Sequence, residues 1–360
     1  MKSISRKLFW AALLLVNVVG LAFAHSRSSS SNSKTCGKSL PARMMSSIAE
    51  AVNMKEQAEM SETIKKSFPV RPGGSLTVRS SIGTVEVQAI DTNTVNIELI
   101  RKIRTANSRE ADEIIKNLHL DFVQNGNDVN IIASLPEEWD WERLKHLRLD
   151  FNISIPRSYN LNVRTVGIIK TSDLEGTVKL STSGFSLTTG NVNGSVNLSS
   201  AGGPIQVGDV NGPVMVSSAG GSIRTGNING ELDAQSGGGS IAAGRVDGRV
   251  TVHSSGGSIR IEEVTNTIEA ASLGGSVQTY ISRQPQSDSS LVSSGGNVNL
   301  RLAENVGATI DADAGPGTVL SDYPLTRLHE THGSAYTGDI NGGGPKITIR
   351  TAAGNVTLRK

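Results

Sequence analysis

The chain has 360 residues and a net charge of +2, with 39 glycines and only 4% aromatic residues. The balanced charge excludes a general polybasic footprint for nucleic acid. The shortage of rings means that any core must lean on Val, Ile, Leu and Ala.

Residues 1–24 stand apart. Lys2, Arg6 and Lys7 precede an apolar run from Leu8 to Phe23, broken only by Asn17 and Gly20, and the stretch ends Ala22-Phe23-Ala24. A basic start, an apolar middle and an A-x-A end read as a secretory signal peptide. The run is short for an uncleaved anchor, which needs about 20 apolar residues. Its removal takes three cations and moves the net charge from +2 to −1. Residues 25–67 follow as a Ser-rich linker and a helix. His25 to Lys38 is too polar to bury. Cys36 is the only cysteine, so no intramolecular disulfide forms. Preceded by Ser33-Lys34-Thr35 and well past the cleavage site, it reads as a linker thiol rather than a lipid anchor. Met44 to Lys66 reads as a spacer helix, with Met45, Ile48, Val52 and Met60 as a loose apolar stripe.

Residues 68–160 form the next block, and their periodicity is two. Leu76, Val78, Val85, Val87, Val95, Ile97 and Leu99 alternate with polar residues, as in half-buried strands. Ser108 is a suitable N-cap for a helix to Leu118 whose apolar face is Ala111, Ile114, Ile115 and Leu118. "LDFVQNGNDVNIIA" reads as a hairpin about an Asn-Gly turn. Trp139 and Trp141 lie in a loop or short helix before a strand from Leu147 to Ile155, which Pro156 ends.

Residues 161–360 are repetitive. Six lines start at Ser181, Ser199, Ser217, Gln235, His253 and Ala271, 18 residues apart. Place four is always glycine, from Gly184 to Gly274, and place seven is always apolar, from Leu187 to Val277. Places twelve and sixteen are apolar in the first five lines, as in Val210 and Val214. Looser copies occur at Arg164 to Leu180, "SSGGNVNL" (Ser293), "GPGTVL" (Gly315) and "AAGNVTL" (Ala352). Such a period marks a solenoid in which one line is one coil. Each line has two glycine-bearing turns, where glycine is expected to supply positive φ. Two short strands lie between them, at places fifteen to two and six to ten. About ten coils stacked about 4.8 Å apart would give a rod about 50 Å long. Hexapeptide spacing is absent, which disfavours a left-handed triangular helix, and a right-handed coil is expected. The fold class is therefore all-β: a parallel β-solenoid, or single-stranded β-helix, of 18-residue coils with a small α+β N-terminal cap. The helix and hairpin would cover the open edge of the first coils, and Arg359-Lys360 would blunt the other end.

A strand ending in proline ("LDFNISIPRSYNLNVRT"), serial "S-x-G-x-I…G-x-V-x-G-x-V" coils and a closing "NGGGP" segment resemble the DUF4097 family of bacterial envelope proteins, named as candidate adhesins. The resemblance covers Phe68 to Lys360. It implies a β-solenoid at the cell envelope and brings no catalytic residues to carry over.

Chemistry by polysaccharide-cleaving β-helices needs carboxylates gathered on one face. Here Asp209, Glu231, Asp233, Asp247, Glu262, Glu263 and Glu269 fall at scattered places of the line. Asp311 and Asp313 are the best pair and read as a solvated strand face. His329, Glu330 and His332 ("HETH") fall one residue short of the H-E-x-x-H zinc spacing. Asn191, Asn193, Asp209, Asn211, Asn227, Asn229 and Asp247 recur at places eleven and thirteen, as Asx turns would. No catalytic, cofactor or metal site is assigned. The expected function is an exported, non-catalytic interaction module, adhesin-like, in the periplasm, on the outer surface or outside the cell. Its expected partners are envelope or surface proteins or glycans, with no nucleic acid and no membrane span after signal cleavage. The alternatives are an envelope structural or stress-response component and, more weakly, a polysaccharide-active β-helix enzyme. In the six lines the only aromatics are Phe185 and Tyr280, which favours protein contacts over sugar stacking.

The N-terminal pattern predicts cleavage after Ala24. Mass spectrometry of the mature protein should find His25 first, and a chain retaining Met1 in the cytoplasm would refute it.

Overall fold

The computed structural model describes residues 58–105, 108–136, 139, 144–328 and 334–360. The signal segment, Cys36, most of the expected spacer helix, Trp141 and the 329–332 motif lie outside the described residues. No helix among the described residues is long and apolar enough to cross a membrane.

Two long sheets and one short sheet wrap a single apolar core. The first sheet has 15 strands, the repeating ones running from place sixteen to place two of the next line, as Val196–Ser200 and Val214–Ser218 do. The second has 14, the repeating ones starting at place seven, as Ile205–Val207 and Ile223–Thr225 do. The coils pair in parallel: Ile205 faces Ile223, which faces Ile241, and Val214 faces Leu232, which faces Val250, while the register shifts between Ile261 and Val264. All of these side chains are buried. Like residue stacks on like, so one apolar place in each line becomes a continuous strip of core. A third, short sheet was not expected. Leu174–Glu175, Val192–Asn193 and Val210–Asn211 pair in parallel at places twelve and thirteen, and single bridges carry the ladder on through Ile228 to Val246. Each coil there has three faces rather than two.

The first turn of each coil is held by a buried hydroxyl at place two. Ser236 Oγ donates to the Gly221 carbonyl of the preceding coil at 3.1 Å and accepts the Gly239 amide of its own at 2.9 Å. Ser218, Ser254, Ser272 and Ser293 repeat the arrangement, and Thr351 makes the same inter-coil bond to Gly296. The glycine that matters here is at place five. A Cβ at Gly221 would meet the Gly203 carbonyl, and one at Gly239 would meet the Gly221 carbonyl. Place four, glycine in every line, faces open space at Gly184. Positive φ at this turn occurs among the six lines only at Gly184, so the glycine pair serves close approach rather than the handedness of the turn.

Chain order and spatial order part at both ends. Ser75–Ser80 pairs with Asn160–Thr165 on one side and Asp128–Ser134 on the other, and Thr84–Ile90 lies likewise between Ile169–Thr171 and Leu147–Pro156. The earliest coil in the chain is thus enclosed by two later ones. Beyond it, Thr94–Thr105 pairs antiparallel with Leu147–Pro156, and His119–Asn125 closes the first sheet as the predicted hairpin. The helix, Ser108–Asn117, buries Ala111 and Ile114 as read from its sequence. At the other end Lys346–Thr351 and Val356–Arg359 slip between the coil of Ser289–Ser293 and Val298–Leu302 and that of Ala308–Asp313 and Val319–Ser321. Arg359 and Lys360 therefore do not blunt an edge. Arg359 pairs with Asp322 at 2.6 Å, and the Lys360 ammonium lies 5.4 Å from the Tyr323 ring centre. The outer strands at that end are Val319–Ser321 and Thr326–Arg327, two to three residues long, and short edges resist pairing with other chains.

Ala58–Pro69 is a strand beside Thr94–Thr105, where the spacer helix was expected to run to Lys66. Ile64 and Phe68 pack against the core. A spacing of four suits both a helix turn and one face of a strand, and pairing along the sheet decides for the strand.

Place nine also faces inward, and it carries threonine in several coils. The hydroxyls of Thr171, Thr189, Thr225 and Thr279 are buried with no hydrogen-bond partner. Val207 and Ile261 occupy the same place, paired in parallel with Thr225 and Ala243. Three adjacent residues then test the coil. Ile223→Asp should cost several kcal/mol, because a charge enters the core unpaired. Arg224→Asp, on the exposed face, should stay within about 0.5 kcal/mol. Thr225→Val should gain about 1 kcal/mol by removing an unbonded hydroxyl. Urea melts of the three variants check this, and equal effects would mean a wrong register.

Candidate functional site

The third face of the solenoid is concave. A groove of ≈ 560 Å³ runs along it from Arg157 to Asp247, crossing five successive coils. Its floor is the buried place-twelve strip, Leu174, Val192, Val210 and Ile228. Place eleven forms one wall: Asp173, Asn191, Asp209, Asn227 and Arg245. Place thirteen forms the other: Glu175, Asn193, Asn211, Asn229 and Asp247. Side chains alternate across a strand, so an apolar floor between two polar walls follows directly from the line.

These walls are not Asx turns, which would bond within a coil. The Asp173 carboxylate accepts the Asn191 amide at 2.7 Å, Asn191 Oδ1 accepts that of Asp209 at 2.8 Å, Asp209 that of Asn227 at 2.7 Å, and Asn227 that of Arg245 at 3.0 Å. Each side chain thus caps the next coil, 18 residues on. The opposite wall is joined side chain to side chain: Asn211 Nδ2 donates to Asn193 Oδ1 at 3.0 Å, and Asn229 Nδ2 to Asn211 Oδ1 at 2.9 Å. Arg245 ends the groove. It bonds Asp247 at 2.8 Å and pairs with Glu263 at 3.4 Å, and these contacts, the Asp247 bond foremost, raise its pKa further. At the other end Arg157 pairs with Asp91 at 2.8 Å.

The structure therefore gathers some of the scattered acids and not others. Asp209 and Asp247 share the groove with Asp173 and Glu175, which the sequence reading did not single out because they lie in the irregular copy upstream of the six lines. Glu231, Asp233, Glu262 and Glu269 stay apart from it. Asp311 and Asp313 do share one face of Ala308–Asp313, but cations occupy it. Asp311 is held by Lys346 and Arg350, each at 2.7 Å, and Arg350 also approaches Asp313 at 3.9 Å. A carboxylate so engaged is a poor proton acceptor for catalysis. His329, Glu330 and His332 lie outside the described residues. Among the described residues no group of three or more His, Cys, Asp and Glu side chains could hold a metal ion.

The family model described as Toastrack DUF4097 matches residues 75–359 of this chain. No curated protein matches it. Several crystal structures resemble it. One, described as a candidate cell adhesion protein from Clostridium sporogenes, is 14% identical with 83% of this chain and 99% of that one covered, at a TM-score of 0.19. A candidate adhesin from Bacteroides fragilis is 13% identical, covering 83% and 96%, at 0.29. A candidate lipid binding protein from Parabacteroides distasonis is 14% identical, covering 82% and 96%, at 0.37. At such values they assign no activity to this chain.

Burial alone would push the Asp311 pKa up, but the bonds and charges of Lys346 and Arg350 outweigh it and hold it below the ordinary aspartate value of 3.8. A depressed carboxylate stabilises the fold in full above its unfolded value and loses that contribution as pH falls through the native one. Asp311→Asn should therefore be less stable than the wild type at neutral pH, with a gap that closes as the pH drops below that value. Urea melts at neutral and strongly acidic pH test the sign, and a gap that widens in acid would refute it.

Proposed function

The chain belongs to the Toastrack DUF4097 family, and on that premise we propose that it is an exported, non-catalytic interaction module that meets its partner along the side of the solenoid. The groove carries this reading. It is an open, extended surface, an apolar floor between polar walls, that crosses five coils on a scaffold whose register is fixed by buried ladders. Such a surface suits recognition of something long rather than the enclosure of a small substrate. The signal-like N-terminus supports placement at the envelope or beyond. The engagement of Asp311 by two cations supports binding without turnover.

Fractionation of the native host, followed by binding of the purified mature protein to washed, intact envelopes, tests the proposal. The expected result is protein outside the cytoplasm and saturable retention on envelopes. Retention in the cytoplasm, or polysaccharide turnover abolished by Asp311→Asn, would replace the binding module with another function.

A further inference from the structure

We infer that the groove seats a linear glycan of neutral or amino sugars laid along the solenoid axis, an inference that rests on reading the chain as a binding module. The walls present one polar side chain on each side per coil, repeating about every 4.8 Å. The floor offers no backbone for a ligand to pair with: the Val192 amide already bonds the Asp209 carbonyl at 2.9 Å, and the Val210 amide the Asn227 carbonyl at 2.8 Å. An added peptide strand would find no free edge here. Its like-facing groups repeat at about 6.8 Å, out of step with the coils. A chain of six-membered sugar rings repeats close to the width of one coil and brings hydroxyls that both donate and accept.

The walls supply both roles. Oδ1 of Asp173, Asn191, Asp209 and Asn227 is committed to the next coil, which leaves Asp209 Oδ2 as an acceptor and Asn227 Nδ2 as a donor toward a ligand. Charge narrows the class. Arg157 and Arg245 are each answered by carboxylates at the two ends, and Asp173 and Glu175 on the first rung with Asp209 on the third make the groove negative overall. Uronic-acid chains and other polyanions would be repelled there. No aromatic side chain lines the groove, so rings are held by hydrogen bonds rather than by stacking, and affinity must accumulate with length.

The test titrates the mature protein with neutral glucan, glucosamine and uronate oligosaccharides, from disaccharide to octasaccharide, by calorimetry. Binding of the neutral or amino series should tighten with length and level off when about five rungs are filled, with the uronate series the weakest. The double variant Asn211→Ala, Asn229→Ala should lose about tenfold in affinity. Asp209→Asn keeps the Oδ1 that caps Asn227, so it retains the fold, and it should weaken the amino series selectively. Loss of all oligosaccharide binding by a wild type that still binds envelopes would overturn the glycan assignment and leave the module reading intact. So would a disaccharide bound as tightly as an octasaccharide, or a uronate preference. Failure to bind envelopes at all would strike the module reading itself.

Discussion

Each buried serine at place two is bonded to two coils at once, and the rest of the molecule depends on that clamp. Its hydroxyl donates to a glycine carbonyl below and accepts a glycine amide beside it, so both buried backbone groups are satisfied at the tightest point of the coil. The geometry works only if the turn backbones stack without a side chain between them, which is why a Cβ at Gly221 or Gly239 has no room. Once the turns are fixed, the strands on either side inherit their register. The apolar places then fall into strips, and the outward places fall into rows. The groove is one product of this chain of dependence: its walls are rows of Asn and Asp that face solvent because the Val and Ile between them face in.

The asparagine wall adds a second set of rungs on the opposite turn, from side-chain carbonyl to the amide of the following coil. The two sets of rungs differ in what they leave over. The serine clamp uses its hydroxyl for both a donor and an acceptor bond and is buried, so it is purely structural. Asp209 and Asn227 at place eleven use one atom for the fold and keep the other at the surface. Scaffold and recognition surface are therefore made from the same residues, and a ligand would meet groups that the fold has already oriented.

Much of this was legible in the sequence, and the reasons for the exceptions are physical. Places seven, twelve and sixteen could be read because line after line repeats an apolar residue there, at place seven in all six and at the other two in the first five, and stacking adds no new information. The helix Ser108–Asn117 and the hairpin about Gly126 had local signals, a cap and a turn. The two-residue strands at place twelve are too short to show alternation. Met60 closes a stripe whose spacing reads as helical, yet it lies in the strand Ala58–Pro69, because pairing along the sheet is not written in the spacing. The shuffled order of the end coils was hidden because one line resembles the next, so similarity cannot say which neighbour a coil chooses: "AAGNVTL" stacks on "SSGGNVNL" ahead of "GPGTVL". The groove was missed for a related reason, since part of it comes from Arg157, ahead of the repeats, and from Asp173 and Glu175 in the irregular copy.

The tucked end coils have a further consequence, for how such a chain can change its length. A unit added beside the coil of Ser75–Ser80 and Thr84–Ile90 or that of Lys346–Thr351 and Val356–Arg359 would have to displace a strand already paired on both sides, because each of these coils lies between two others. In the middle there is no such obstacle. A line gained or lost between Ser181 and Leu273 joins identical clamps to identical clamps and moves the ends apart or together by about 4.8 Å. The ends act as fixed terminals, and the interior as a ruler whose graduations can be counted up or down.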